Sequence, residues 1–175
     1  LDFETALDQR VAMLAGRSKG LIDQIIATSK LTDGASILVK TMRANGAFCY
    51  LVSGGFEFLA GPVAAECGFH GHHANHLDHN GNSISGTVRK PILDRQAKVT
   101  YLKYYSQLHD VELSATASVG DGANDLGMLD QADFGVAFHG KPIIRQKVAL
   151  QLNHTNLTGL LYLQGYKLEE FVFGD

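Results

Sequence analysis

The chain has 175 residues, of which 45% are hydrophobic, enough for one well-packed domain or for a domain with a small appendage. The formal net charge of −3 and the lack of a basic stripe argue against a nucleic-acid-binding protein. No apolar run approaches the roughly 18 residues that a membrane-spanning helix needs. Two cysteines, Cys49 and Cys67, are too few for a disulfide framework, so a reducing, cytoplasmic setting is expected.

Hydrophobic periodicity predicts helices in the N-terminal region, followed by strands that alternate with helices. Near-continuous apolar strands separated by helices are typical of a parallel sheet that is covered on both faces. We therefore predict an α/β fold. The predicted strands are 47–53, 115–120 and 133–138, and the predicted helices are 2–15, 19–29, 34–44, 55–67, 94–105, one from about 123, 142–148 and 157–173, the last broken at Gly165.

A histidine-rich segment, FHGHHANHLDHNG at residues 69–81, interrupts this alternation. It holds five of the eight histidines, namely His70, His72, His73, His76 and His79. Neutral imidazoles bind zinc well, but no cysteine stands at ligand spacing and no HExxH sequence occurs. An Asn80-Gly81 turn between two β-like arms is a strong hairpin signal. The preferred interpretation is therefore an exposed hairpin with polar residues, and zinc binding is the alternative.

The most informative segment is SVGDGANDLGML at residues 118–129, which begins as a predicted strand and ends as a predicted helix. Asp121 stands at the carboxyl end of the strand, where parallel α/β sheets bind their ligands. Asn124 and Asp125 follow at the start of the helix, where a carboxylate is favoured. Two carboxylates and an amide within five residues offer the oxygen ligands that Mg²⁺ prefers. An acidic helix cap with turn glycines is the alternative.

Two further segments offer groups that could bind a phosphate. Ser53 ends the strand AFCYLVS, and Gly54 and Gly55 follow at a predicted helix start. A hydroxyl and free backbone N–H groups at such a position form a phosphate cradle, although Ser-Gly-Gly is also an ordinary turn. Lys98 lies on the predicted helix 94–105. A lone lysine is usually a solvated surface residue, so its interest depends on the other motifs.

Taken together, these segments resemble phosphoserine phosphatases of the haloacid dehalogenase-like (HAD) superfamily. The resemblance covers nearly the whole chain and depends on the order and spacing of DFETALDQRV, VSGGF, AK, VGDGAND and FHGKP. It implies a HAD-like Rossmannoid parallel sheet flanked by helices. A partial helical cap would cover residues 1–32, and a core domain would cover 33–175 with a β-hairpin insert near 70–90. The histidines would lie on that insert, away from the expected chemistry.

The resemblance also implies the chemistry at the carboxyl edge of the sheet. Ser53, Lys98 and Asp121 would be catalytic residues of a phosphatase. Mg²⁺ would be the cofactor, and Asp121 and Asp125 would form its metal site, with Asp121 as a ligand and Asp125 supporting it from nearby. Besides Ser53 and Lys98, the backbone N–H of Gly54 and the side chain of Asn124 would bind the phosphate.

The substrate implied by the resemblance is O-phospho-L-serine, and the reaction would be the last step of serine biosynthesis. Arg10 would bind the substrate carboxylate, a role that suits a guanidinium fork, and Phe3 would line the cap side of the pocket. Without the resemblance, Arg10 would be interpreted as a surface arginine on an amphipathic helix. The resemblance also admits a homodimer.

The first motif of this family, Asp-x-Asp-x-Thr, does not occur in the sequence. Its first Asp is the nucleophile that forms a phosphoaspartyl intermediate. The segment LDFET at residues 1–5 has one Asp and matches the cap helix instead. We therefore expect an upstream segment to carry the motif on a central strand, without which AFCYLVS and ATASVG would each lack a neighbour. A related small-molecule phosphatase and a non-catalytic phosphate- or metal-binding fragment stay open as alternatives.

Overall fold

A computed structural model describes residues 2–174 of the chain. Within this range it contains α-helices that alternate with β-strands over most of the sequence. The helices are α1 (Phe3–Ala12), α2 (Gly20–Thr28), α3 (Ala35–Ala44), α4 (Glu57–Cys67), α5 (Arg95–Leu108), α6 (Leu126–Gln131), α7 (Pro142–Arg145) and α8 (Gly159–Leu163). Short 3-10 turns occur at Leu113–Ala115 and Leu168–Glu170. None of the helices described is both long and apolar enough to cross a membrane.

The strands form three separate hydrogen-bonded groups. The first is a parallel pair, β1 (Tyr50–Phe56) and β2 (Gly71–Asn75), and the second is an antiparallel hairpin, β3 (Leu77–Asn80) and β4 (Ser83–Val88). The third is a parallel sheet of β5 (Ala117–Gly120), β6 (Phe134–Phe138) and β7 (Leu150–Leu152), with β6 in the middle. Parallel strands flanked by helices confirm the predicted α/β class.

Strand β6 carries the best-packed part of the core. Val136 and Ala137 follow one another along it and are both fully buried. Because successive strand residues point to opposite faces, each belongs to a different hydrophobic cluster. Ala137 packs with residues such as Ile144, whereas Val136 packs with residues such as Leu160. Strand β6 is therefore covered on both faces, as expected for a parallel strand inside an α/β sheet.

One edge of β1 and one edge of β5 lack a neighbouring strand within residues 2–174. Strand β1 pairs with β2 only, and β5 pairs with β6 only. The near-continuous apolar sequence of β1 predicts full burial, yet none of its residues is buried. A strand with a neighbour on one side only keeps part of its surface accessible, which explains the difference.

The histidine-rich segment does not fold as predicted. Residues 71–75 form β2 and pair in parallel with β1, with Leu51 opposite His72 and Val52 opposite His73. The hairpin is limited to β3 and β4, and its turn lies at Gly81 and Asn82, one residue later than predicted. The pairing of β2 with a strand some 20 residues away is a long-range contact that local turn signals do not reveal.

Two predicted helices in the C-terminal region are shorter in the structure. The predicted helix 142–148 ends at Arg145, and the predicted helix 157–173 is reduced to α8, with a 3-10 turn after it. Gly165 adopts a left-handed φ of +88°, and the N–H of Tyr166 bonds to the carbonyl of Leu161. This is the Schellman pattern that ends helices at glycine.

Candidate active site

The loop between β5 and α6 is organised by the carboxylate of Asp125. Its Oδ2 accepts the backbone N–H groups of Asp121 and Gly122, each at 3.0 Å. Asp125 is 3% exposed, whereas Asp121 and Asn124 are exposed. The loop passes so close to this carboxylate that a Cβ at Gly120 would lie 2.4 Å from Cβ of Asp125. The hydrogen bonds of Asp125 therefore stabilise the conformation of the loop, and the side chain of Asp121 stays exposed.

Lys98 on α5 forms a buried ion pair with the same carboxylate. Its Nζ lies 2.5 Å from Oδ1 of Asp125, and the two side chains are 10% and 4% exposed. Helix α5 begins just before, where Asp94 caps it by accepting the N–H of Ala97 at 3.0 Å. The interpretation of Lys98 as a solvated surface lysine is therefore wrong. Both oxygens of Asp125 are engaged, which suits a supporting role better than a direct metal ligand.

The Ser53–Gly55 segment is extended rather than the beginning of a helix, because β1 continues to Phe56 and α4 begins at Glu57. The hydroxyl of Ser53 accepts the N–H of Gly55 at 3.0 Å. The ring of Phe3 on α1 approaches this segment, since a methyl group at Gly54 would lie 3.4 Å from Cζ of Phe3. The structure thus places the ring of Phe3 beside Gly54.

Asn75, which sequence analysis did not single out, connects the Ser53–Gly55 segment to α5. It is 2% exposed. Its Nδ2 donates to the carbonyls of Gly54 at 3.0 Å and Leu93 at 3.4 Å, and its Oδ1 accepts the N–H of Leu93 at 2.6 Å. A polar residue at the carboxyl end of a parallel strand is the signal that identified Asp121. Here the signal was hidden because the segment was interpreted as a hairpin arm.

Gly54, Lys98, Asp121 and Asp125 therefore form a connected set, whereas Asn124 and Arg10 lie outside its described hydrogen bonds. Gly54 is linked through Asn75 and Leu93 to the start of α5, and Lys98 on α5 is linked through Asp125 to the loop of Asp121. Arg10 is exposed and forms no ion pair among residues 2–174. It follows Phe3 by seven residues, so it lies within about 20° of the same side of α1 and about 10 Å farther along the axis.

The histidines of β2 have partners on opposite faces of the strand. Nε2 of His72 lies 2.5 Å from the carboxylate of Glu57, and Nε2 of His73 lies 2.6 Å from the hydroxyl of Tyr105. Burial is the main cause that lowers the pKa of His73 below its usual value, and the neighbouring His72 lowers it further. Across the described part of the chain, no three His, Cys, Asp or Glu side chains are grouped so that they could hold a metal ion.

Comparisons with known proteins show which family and which structures this chain is similar to. A family model described as haloacid dehalogenase-like hydrolase matches residues 1–130. A phosphoserine phosphatase from Streptomyces coelicolor is 38% identical over 175 residues, which cover 100% of this chain and 43% of that protein. The chain thus spans less than half of that relative. Two similar solved structures are a substrate-bound phosphoserine phosphatase complex and a phospho-aspartyl intermediate analogue of phosphoserine phosphatase. Each has a TM-score of 0.88 and 29% identity, and the match covers 93% of this chain and 78% of the other.

Proposed function

Because the chain belongs to the haloacid dehalogenase-like hydrolase family, we propose that it is part of an Mg²⁺-dependent phosphoserine phosphatase. The whole protein would hydrolyse O-phospho-L-serine to L-serine and phosphate, in the cytoplasm and in serine biosynthesis. The observation that carries this proposal is the connected set of Gly54, Asn75, Lys98 and Asp125, which joins a phosphate cradle to an acidic loop at the carboxyl ends of parallel strands. The relatives with this name support the choice of substrate.

In the proposed reaction, the groups around the phosphate stabilise the charge that is spread over its oxygens during transfer. Ser53 donates its hydroxyl, Gly54 donates its backbone N–H, and Lys98 and Asn124 add donors from the neighbouring segments. The ion pair with Asp125 holds the ammonium of Lys98 in a fixed position at no cost in reorganisation when the charge develops. Phe3 covers the cradle from the cap side, and Arg10 binds the substrate carboxylate.

The donor set at the loop fits Mg²⁺ in part. The exposed carboxylate of Asp121 at the end of β5 is the hard oxygen ligand that Mg²⁺ prefers, and this ion usually keeps waters and binds one or two carboxylates together with phosphate oxygens. When bound, it would neutralise phosphoryl charge. Asp125 would orient the loop that carries Asp121, because its own oxygens are engaged with Lys98 and with two backbone N–H groups.

The nucleophile would come from an upstream segment. Within residues 2–174, β1 and β5 each have one edge without a neighbouring strand, which supports the insertion of one further parallel strand between the two sheets. Its carboxyl end would lie at the same edge as Ser53 and Asp121. The first Asp of the motif would attack phosphorus, the second Asp would protonate the leaving oxygen of serine, and water would hydrolyse the phosphoaspartate. The phospho-aspartyl analogue among the similar structures supports this course.

The first experiment measures phosphate release from O-phospho-L-serine, with and without Mg²⁺, by the chain alone and by the chain mixed with or fused to its upstream segment. We expect Mg²⁺-dependent turnover only when the segment is present. Turnover by the chain alone would show that a nucleophile is already there and would overturn the proposed source of the Asp. Binding of phosphoserine without turnover in either sample would favour a non-catalytic binding module.

A second experiment separates phosphoserine from other small phosphate esters. O-phosphoethanolamine lacks the carboxylate of phosphoserine but is otherwise the same molecule. If Arg10 binds that carboxylate, Arg10→Ala should lower kcat/KM for phosphoserine by roughly 10- to 100-fold, the cost of a charge-assisted bidentate pair, and leave phosphoethanolamine unaffected. Equal losses, or none, for both substrates would point to a different phosphatase of this superfamily.

A further inference from the structure

Helix α1 is joined at its C-terminal end to the β3–β4 hairpin. The chain after α1 runs alongside the start of β4, where Ser18 and Ser83 form an isolated antiparallel bridge. The N–H of Gly16 donates to the carbonyl of Ile84 at 2.9 Å, the N–H of Ile84 donates to the carbonyl of Arg17 at 2.9 Å, and the N–H of Lys19 donates to the carbonyl of Asn82 at 2.8 Å. This end of α1 is therefore fixed to the hairpin by backbone hydrogen bonds.

Close packing reinforces the same junction. Helix α1 packs on β4, and Val11, Ile84 and Val88 at this junction are 2%, 3% and 5% exposed. Gly86 allows the approach, since a Cβ there would lie 2.7 Å from Cβ of Ala15 and its φ is +86°. The C-terminal part of α1 thus has little freedom to move away from the hairpin.

The N-terminal half of α1 is held by one lysine. Nζ of Lys90, just after β4, contacts Oε1 of Glu4 and lies 3.0 Å from Oδ2 of Asp8. Glu4 and Asp8 are one helical turn apart, so a single ammonium reaches both. The hydrogen bonds to Glu4, the larger cause, and to Asp8 raise the pKa of Lys90 above its usual value.

These contacts lie on a different side of α1 from the residues that face the candidate site. Phe3 meets Gly54, and Arg10 lies within about 20° of the direction of Phe3 around the helix. Glu4 and Asp8 lie about 100° and 140° away from Phe3 around the same axis. Because the C-terminal part of α1 is fixed to the hairpin, loss of the Lys90 contacts would free mainly the first turns of α1, which carry Phe3.

We propose that Lys90 is a positioning residue: through Glu4 and Asp8 it holds the N-terminal half of α1 in place and thereby holds Phe3 over Gly54, on the side of the helix that also carries Arg10. The hairpin is then a support for the substrate-facing helix rather than an inert insert. The placement of Phe3 can be tested in this chain without any assumption about its function. The consequence for substrate binding beside Phe3 rests on the proposed function.

The placement of Phe3 is tested by NMR on the isotopically labelled chain, because the ring current of Phe3 shifts the backbone signals of Gly54. The variant Phe3→Leu defines the signal position without the ring. We expect Lys90→Glu and Lys90→Met to move the Gly54 signals toward that position. The matched control is Arg89→Glu, since Arg89 pairs with Asp78 inside the hairpin at 3.3 Å and not with α1.

Salt and charge reversal make this test specific. All three side chains of the Lys90 contacts are about half exposed, so raising the salt from about 0.05 to 0.5 M should screen them and move the wild-type signals in the same direction. Combining Glu4→Lys and Asp8→Lys with Lys90→Glu should restore the wild-type position. Unchanged Gly54 signals in both Lys90 variants, in spectra that are otherwise those of the folded chain, would overturn the proposal.

The consequence for substrate is tested by kinetics in the protein that turns over phosphoserine. Lys90→Glu should raise KM roughly two- to fivefold, the size expected for exposed ion pairs, and change kcat by less than about twofold. Lys90→Arg should stay near wild type, and so should Arg89→Glu. A lower kcat at constant KM would overturn the positioning role. Failure to find turnover would count against the proposed function only, because the NMR result does not depend on it.

Discussion

The buried ion pair of Lys98 and Asp125 allows a quantitative prediction. Replacing Asp125 by Asn keeps the shape of the side chain and leaves an oxygen that can still accept the N–H groups of Asp121 and Gly122. The change removes the negative charge beside the Lys98 ammonium, which is 10% exposed. A buried charge without its partner is strongly unfavourable. We therefore expect Asp125→Asn to destabilise the chain.

The magnitude follows from what the substitution leaves behind. Breaking a buried pair by removing one partner costs about 3–5 kcal/mol, and the lower end applies here because the backbone hydrogen bonds can persist. With a urea m-value of about 2 kcal/mol/M, a loss of about 3 kcal/mol lowers the unfolding midpoint by about 1.5 M. Lys98→Met should cost less than Asp125→Asn, because the remaining carboxylate keeps two N–H donors.

Urea unfolding followed by circular dichroism measures these changes. Asp78→Asn, which breaks the exposed pair with Arg89, is the matched control and should lower the midpoint by about 0.5 M or less. The double variant Lys98→Met/Asp125→Asn should be more stable than Asp125→Asn, because it contains no unpaired ammonium. If Asp125→Asn lowers the urea midpoint no more than Asp78→Asn does, the ion pair contributes little to stability. The same conclusion follows if the midpoint of the double variant falls by the sum of the two single losses.

Three further outcomes are expected. Asn75→Ala should lower the free energy of unfolding by about 2 kcal/mol, since it leaves buried groups of Leu93 and the partly buried carbonyl of Gly54 unpaired. The exposed Asn82→Ala should change this free energy little, and equal effects in urea unfolding would contradict the argument. Burial lowers the pKa of His73 in the folded chain, so the stabilisation from this histidine is fully present above the unfolded pKa of about 6.5 and is lost as the pH falls below that value. His73→Phe should therefore make the urea midpoint depend less on pH between about pH 6.5 and 5. An unchanged dependence of the midpoint on pH would contradict this. Burial raises the pKa of the Cys49 thiol to about 11, so its alkylation by iodoacetamide at pH 8 should be slower in the folded than in the unfolded chain on the order of 100-fold, and comparable rates would refute the burial argument.

The parts of the fold and site that sequence predicts correctly are those with local signals. The strand–loop–helix around Asp121 is recognisable because an apolar run, turn glycines and an acidic helix start follow one another within a few residues. The same holds for β6, whose apolar run and flanking signals lie within 133–138. Boundaries were less accurate, and α6 begins at Leu126 rather than near 123.

The parts that sequence missed depend on long-range contacts. Asn75 acts on Gly54 and Leu93, which lie 21 and 18 residues away, so nothing in its immediate surroundings reveals its role. The burial of Lys98 is decided by Asp125, 27 residues later. Likewise, the contact of Lys90 with Glu4 spans 86 residues. Each of these positions has an ordinary polar residue, and its role depends on contacts with residues that are distant in the sequence.

The separation of the β1–β2 pair from the β5–β7 sheet leads to one more prediction for the whole protein. Both hydrophobic clusters described lie on the β5–β7 side, whereas β1 has no buried residue. Helix α5 connects the β1 side with the β5–β7 side, because it contacts both β1 and α6. A strand inserted between β1 and β5 would bury apolar surface of both sheets and would end beside Ser53 and Asp121.

The same event should therefore stabilise the chain and complete its site. When a peptide with the upstream segment is titrated into the chain, we expect the thermal midpoint to rise and phosphoserine hydrolysis to appear along one saturation curve, since both report the same binding step. A peptide whose nucleophilic Asp is replaced by Asn is the control and should stabilise the chain without restoring activity. If stabilisation and activity instead saturate at different peptide concentrations, the segment binds somewhere other than between β1 and β5.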